Sequence, residues 1–133
     1  LMGSKVNSMI ESSKYSEYDL IDTLLNKDAT GFLKVSSYLR EIDTSLSYII
    51  FLVNQELEKI YSLIKPTTSK PYIPSFLMTK YISASKKYTL DELLFLLKNI
   101  VSIDIKSKYM SKKSNPWVSF NSLFHNLMSK RAK

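Results

Sequence analysis

Breakers are so sparse in this chain that long helices are the form its backbone takes most readily. Among 133 residues there are two glycines, at 3 and 31, and four prolines, at 66, 71, 74 and 116. Glycine and proline are the strongest local punctuators of regular structure, so interruptions are confined to one central linker and one late loop. No alternation of apolar and polar residues of useful length occurs, and no internal repeat is visible. The pattern predicts an all-α fold, a compact helical bundle of about five to six helices. Hydrophobic residues at 44% and charged residues at 23% are near the globular average, which excludes a disordered tail.

Residues 1–14 read as a loose lead-in. Leu1-Met2-Gly3-Ser4 reads as an expression remnant, and Val6, Met9 and Ile10 suffice for a turn of helix. Residues 15–133 read as a single helical domain. Ser16 and Asp19 stand in capping-box positions before Tyr18, Leu20, Ile21, Leu24 and Leu25, predicting a helix over 17–26. A polar connector, Asn26-Lys27-Asp28-Ala29-Thr30-Gly31, leads to a second short helix carrying Phe32, Leu33, Val35, Tyr38 and Leu39. The spine is a helix over 44–65, with Leu46, Ile49, Ile50, Val53, Leu57, Ile60 and Ile64 on one face. It spans roughly 30 Å at about 1.5 Å per residue. Tyr48, Phe51 and Leu52 give its first half a second apolar face, which calls for neighbours on more than one side, in the core or across a subunit contact.

Beyond the spine, residues 66–74 read as a linker in which Tyr72-Ile73 packs down, and 75–83 as a modest helix with Phe76, Leu77, Lys80 and Tyr81. Thr89-Leu90-Asp91-Glu92 is a second capping box. Behind it Leu90, Leu93, Leu94, Leu97, Ile100 and Val101 form a stripe that Leu96 and Ile103 widen, predicting a mostly buried helix. After a lysine-rich loop, Asn115-Pro116 supplies a cap and a proline at the first helical position. The last helix then carries Trp117, Phe120, Leu123, Phe124, Leu127 and Met128.

The 19 Lys plus Arg outnumber 12 acids, a net charge of +7 that favours polyanions. The basic residues gather at Lys106, Lys108, Lys112 and Lys113, at Lys86 and Lys87, and at Lys130, Arg131 and Lys133. They are not interleaved with aromatics as in a single-strand groove, so a solvated basic surface is the favoured reading. Lys108, Lys112 and Lys113 are the candidates for weak DNA contact. With no cysteine and one histidine, disulfides and thiolate metal sites are excluded and no metal or cofactor is expected. His125 reads as a partly buried or surface residue, Asp104 with Lys108 as a weak i, i+4 surface pair. Asp19 with Asp22 and Glu56 with Glu58 have cap or solvated-face explanations, and no catalytic residue is assigned. Core packing is the default for Tyr48, Phe51, Trp117, Phe120 and Phe124, although such aromatics also anchor interfaces. No apolar run reaches the roughly 18 residues of a membrane span. The first dozen residues carry no apolar signal segment, so the chain is expected to be cytoplasmic.

The run Asp91-Glu92-Leu93-Leu94 through Ile105-Lys106-Ser107, a polar loop, and a helix ending in Leu127-Met128 together resemble the C-terminal end of the delta subunit of bacterial DNA polymerase III. In that family a long helix closes on a hydrophobic-Lys-Ser/Thr-Gly signature, matched here by Ile105, Lys106 and Ser107. The family's acidic residue falls on Ser102, with Asp104 the acid here, and Lys108 stands in place of its glycine. Upstream, Tyr18-Asp19-Leu20-Ile21-Asp22, Lys27-Asp28 and the aliphatic run on the spine are similar to the family's order, which extends the resemblance over about 15–128. The resemblance implies a collar domain of the clamp loader, a non-catalytic assembly domain. Its partners would be gamma/tau-type and delta-prime-type subunits, joined through helical C-terminal domains. Tyr48, Phe51 and Leu52 are the candidate subunit interface. DNA would be met only indirectly or weakly, and no membrane would be involved. The chain has no Gly-x-x-x-x-Gly-Lys-Ser/Thr motif for ATP. The competing reading from the residues is a small basic helical module that binds nucleic acid.

Overall fold

The computed structural model describes residues 14–65, 71–109 and 115–129. The lead-in residues 1–13, part of the linker, the loop lysines Lys112 and Lys113, and the basic residues Lys130, Arg131 and Lys133 lie outside them. Among the described residues the fold is all-α, with six α-helices and no strand. They are α1 (Glu17–Leu25), α2 (Ala29–Glu41), α3 (Leu46–Ile64), α4 (Met78–Ser85), α5 (Leu90–Tyr109) and α6 (Pro116–Ser129). A single 3-10 turn, Ser75–Leu77, leads into α4.

The predicted caps hold the helix starts. The Asp19 carboxylate accepts the Ser16 backbone N–H at 2.7 Å. At α5, Glu92 accepts from Thr89 N–H at 2.8 Å while Thr89 Oγ1 accepts from Glu92 N–H at 3.1 Å, so each satisfies a backbone donor the helix cannot. Asn115 Oδ1 accepts from Trp117 N–H at 3.1 Å ahead of Pro116.

The connector after α1 is shorter than its polarity suggests, because Asp28 is itself a cap. Its carboxylate accepts Gly31 N–H at 3.0 Å and α2 begins at Ala29, within the stretch expected to be loop. A Cβ at Gly31 would displace the Asp28 carboxylate from this cap. Both α1 and α2 end in the same reversal without glycine. Lys27 and Asp43 sit at φ 53° and 60°, in the left-handed region that costs an L residue about 1 kcal/mol. Around them Asp28 N–H reaches Thr23 O at 2.9 Å and Thr44 N–H reaches Leu39 O at 3.0 Å, the long bond of a Schellman end. Lys27 recovers part of that cost. Its Nζ donates to Lys87 O at 3.0 Å, pairs with Glu92 at 3.2 Å and lies over the Tyr88 ring, tying the first turn to the start of α5.

The core runs through all six helices. α3 packs on α5 and α4, α2 on α1 and α6, and α5 on α6. Leu20 and Leu24, Phe32 and Leu39, Ile49, Val53, Leu57 and Ile60, and Leu93, Leu96 and Ile100 are all sealed from solvent. Phe32 stacks on Phe124 at 5.1 Å between centroids, and Phe120 lies 4.9 Å from Phe124, so the α2/α6 contact is built from three aromatic rings. Trp117 is half-buried and meets Phe120 edge-on.

Two expectations need correcting. The buried face of α5 is Leu93, Leu96, Ile100 and Ile103, whereas Leu94 and Val101, placed in the stripe, are 44% and 54% exposed. Leu93 and Ile100 of the expected stripe are buried, together with Leu96 and Ile103 that widen it, so the buried arc is turned toward that edge and away from Leu94 and Val101. The helix is apolar over too wide an arc for spacing to choose. Second, Tyr72 does not pack down; it is 80% exposed, and only Ile73 rests on the core.

Candidate interaction surface

The rotation of α5 leaves an apolar row with no cover among the described residues. Phe51 on α3 and Val101 on α5 are both more than half exposed and line one groove of about 220 Å³, floored by Ile50 and Ile100. Leu94 and Ile105 continue the row along α5 in both directions. At one end a polar clip joins the two helices. Ser47 Oγ donates to Asp104 Oδ1 at 3.3 Å, and Lys108 Nζ pairs with Asp104 Oδ2 at 3.2 Å. Ser107 Oγ donates to Asp104 O at 2.8 Å and stands 3.5 Å from Ser47 Oγ.

The anticipated interface trio is not one surface. Positions 51 and 52 differ by about 100° around the helix. Phe51 faces the α5 side, while Leu52 is half-buried in a second cleft between α1, α3 and α4, and Tyr48 is 45% exposed. Core packing, the default for the five aromatics, holds for Phe120 and Phe124 and fails for Tyr48 and Phe51. Of the signature residues, Ile105 and Lys106 point to solvent, and only Ser107 takes part in the clip. Lys108 is exposed and bound to Asp104, the i, i+4 pair its spacing suggests. His125 is half-buried.

Glu56 was expected on a solvated face and is instead 8% exposed. It lies on the flank of the α3 stripe, where its carboxylate accepts the Tyr81 hydroxyl and the Lys59 ammonium, the latter at 2.9 Å. Its nearness to the stripe was readable in the spacing; its partner on α4 was not.

Burial, reinforced by the hydrogen bond to Glu56, holds the Tyr81 phenol well above the ordinary value of 10.0. Burial, with the negative charge of Glu92, does the same to Tyr88, whose hydroxyl donates to Leu24 O at 2.5 Å. A group whose folded pKa is raised contributes stability that is complete below the unfolded pKa and lost as pH rises above it. Each tyrosine therefore removes up to about 1.4 kcal/mol of stability per pH unit above pH ~10. Urea unfolding between pH 9 and 12 should show a shallower decline in Tyr88→Phe than in the parent. Equal slopes would mean that Tyr88 ionises freely in the folded domain.

Among the described residues no group of three or more His, Cys, Asp or Glu side chains could hold a metal ion, and no helix is long and apolar enough to cross a membrane. Comparison with protein-family models, with curated proteins and with solved structures gave no match.

Proposed function

We propose that this domain is a non-catalytic assembly module that binds partner subunits through the α3/α5 face. The carrying observation is the row of Leu94, Val101 and Ile105 beside Phe51, exposed over a core that Ile50 and Ile100 already close. Such side chains add little to the domain's own packing, and contiguous exposed apolar groups mark contact surfaces. The resemblance of Ile105, Lys106 and Ser107 and of the helix order to the delta subunit supplies the finer reading. There the module is the collar domain of the DNA polymerase III clamp loader, joining gamma/tau-type and delta-prime-type subunits in support of clamp loading during replication.

Light-scattering chromatography of the chain, alone and mixed with the C-terminal domains of other clamp-loader subunits from the same source, tests both levels. A mixed complex that withstands raised salt is the expected result, since apolar burial is little screened. Phe51→Asp should leave stability within about 0.5 kcal/mol and weaken the complex by about thirtyfold, the effect of an interface hot spot. Unfolding by Phe51→Asp would return that residue to the core and remove the proposed surface. No complex, together with binding to a DNA oligonucleotide that falls steeply with salt, would replace the assembly reading with the basic nucleic-acid-binding module.

A further inference from the structure

One row of exposed residues runs the length of α5. Asp91, Leu94, Lys98, Val101, Ile105 and Lys108 follow one another at alternating steps of three and four residues, and each is exposed. This is the spacing of a coiled-coil seam, a stripe that keeps facing one side of the helix. Val101 meets Phe51 in the α3/α5 groove, so the seam belongs to the face proposed for assembly. The buried face of α5, Leu93, Leu96, Ile100 and Ile103, is a different set, and the seam is what remains once the helix has filled the core.

The order of chemistry along the seam selects its occupant. It opens with an acid, closes with a lysine, and carries its apolar side chains between them. When two such helices run antiparallel, seam positions pair in reverse order. Asp91 of one copy then meets Lys108 of the other, Leu94 meets Ile105, and Lys98 lies along Val101. A lysine there lays its methylene stem on the valine and keeps its ammonium in water. Each pairing occurs twice about a two-fold axis, as a self-complementary contact requires. Parallel pairing instead sets Asp91, Lys98 and Lys108 each against its own copy, three like-charge contacts that oppose association. The seam complements itself in one direction only. Lys108 already reaches Asp104 at 3.2 Å within its own helix, and in the antiparallel pair it stands between two carboxylates.

We infer that a second copy of this chain docks on the α5 seam in antiparallel orientation, forming a two-fold dimer closed at both ends by Asp91 and Lys108. The inference rests on the reading of the α3/α5 face as a contact surface, and it names the occupant that face takes when partner subunits are absent. Three apolar side chains from each copy make a small interface, so the dimer is weak and depends on concentration.

Sedimentation equilibrium of the unsubstituted chain over a range of concentrations is the first test, and a monomer-dimer equilibrium is expected. Asp91→Lys, which sets a lysine opposite Lys108 at both ends, should weaken the dimer about tenfold. Lys108→Asp, which sets two acids opposite, should weaken it similarly. Combining Asp91→Lys with Lys108→Asp restores opposite charges only if the helices are antiparallel, and should recover the parental strength to within about threefold. Both sites are exposed, so the fold withstands the changes. A chain that stays monomeric up to about 1 mM would overturn the inference. So would an Asp91→Lys dimer as tight as the parent, or a double variant as weak as the single ones, since either removes the antiparallel pairing. A monomeric chain that still forms the mixed complex would overturn the self-pairing and leave the assembly module standing, whereas unfolding by Phe51→Asp would remove the surface that both require.

Discussion

Phe120→Ala lowers the stability of the domain by about 3–5 kcal/mol, the cost of removing a sealed aromatic from a core that closes only partly around the cavity. Phe120 is fully buried and touches the rings of Phe32, Phe124 and Trp117, so its loss unsettles the contact that fastens α6 to α2. For a domain with about 5–15 kcal/mol in total, that is a large share. Urea unfolding gives the figure, with Phe95→Ala as the control. Phe95 is 52% exposed, and its removal should cost no more than about 0.5 kcal/mol. A Phe120→Ala variant as stable as the Phe95→Ala control would show that the three-ring cluster is not where the fold is anchored.

The second large effect separates two rotations of α5. Leu96→Ala should cost about 2–5 kcal/mol because Leu96 is sealed from solvent, whereas Leu94→Ala, at a site 44% exposed, should cost under about 1 kcal/mol. Equal volume is removed in both, so the difference reports burial alone. A reversed order would put Leu94 and Val101 inside and cover the face proposed for assembly. The pair therefore bears on function as well as on packing. In the observed rotation, Val101 meets Phe51 across the groove; in the other, it would be core.

Amino-acid order alone carried the helix starts and much of the core. Ser16 with Asp19, Thr89 with Glu92, and Asn115 with Trp117 behind Pro116 are local devices whose partners lie two or three residues apart, so spacing is enough to find them. The second half of the α3 stripe was equally legible, since Leu57 and Ile60 stand among Gln55, Glu56, Glu58 and Lys59. Helix ends were less so: Lys27 and Asp43 take left-handed conformations usually given to glycine, and nothing in their side chains announces it.

Tertiary structure decided what local spacing leaves degenerate. On α5, leucines and isoleucines cover more than half the circumference, and only packing against α3 and α6 selects which part of that wide arc goes inside. The same packing splits Phe51 from Leu52 and turns one anticipated surface into two separate clefts. Glu56 is the clearest case. Its burial requires a hydroxyl from Tyr81, 25 residues away, because a carboxylate leaves water only where other donors replace it. Periodicity reports the arc a helix can bury; only long-range contact determines the arc it does bury, and with it the apolar residues left for a partner.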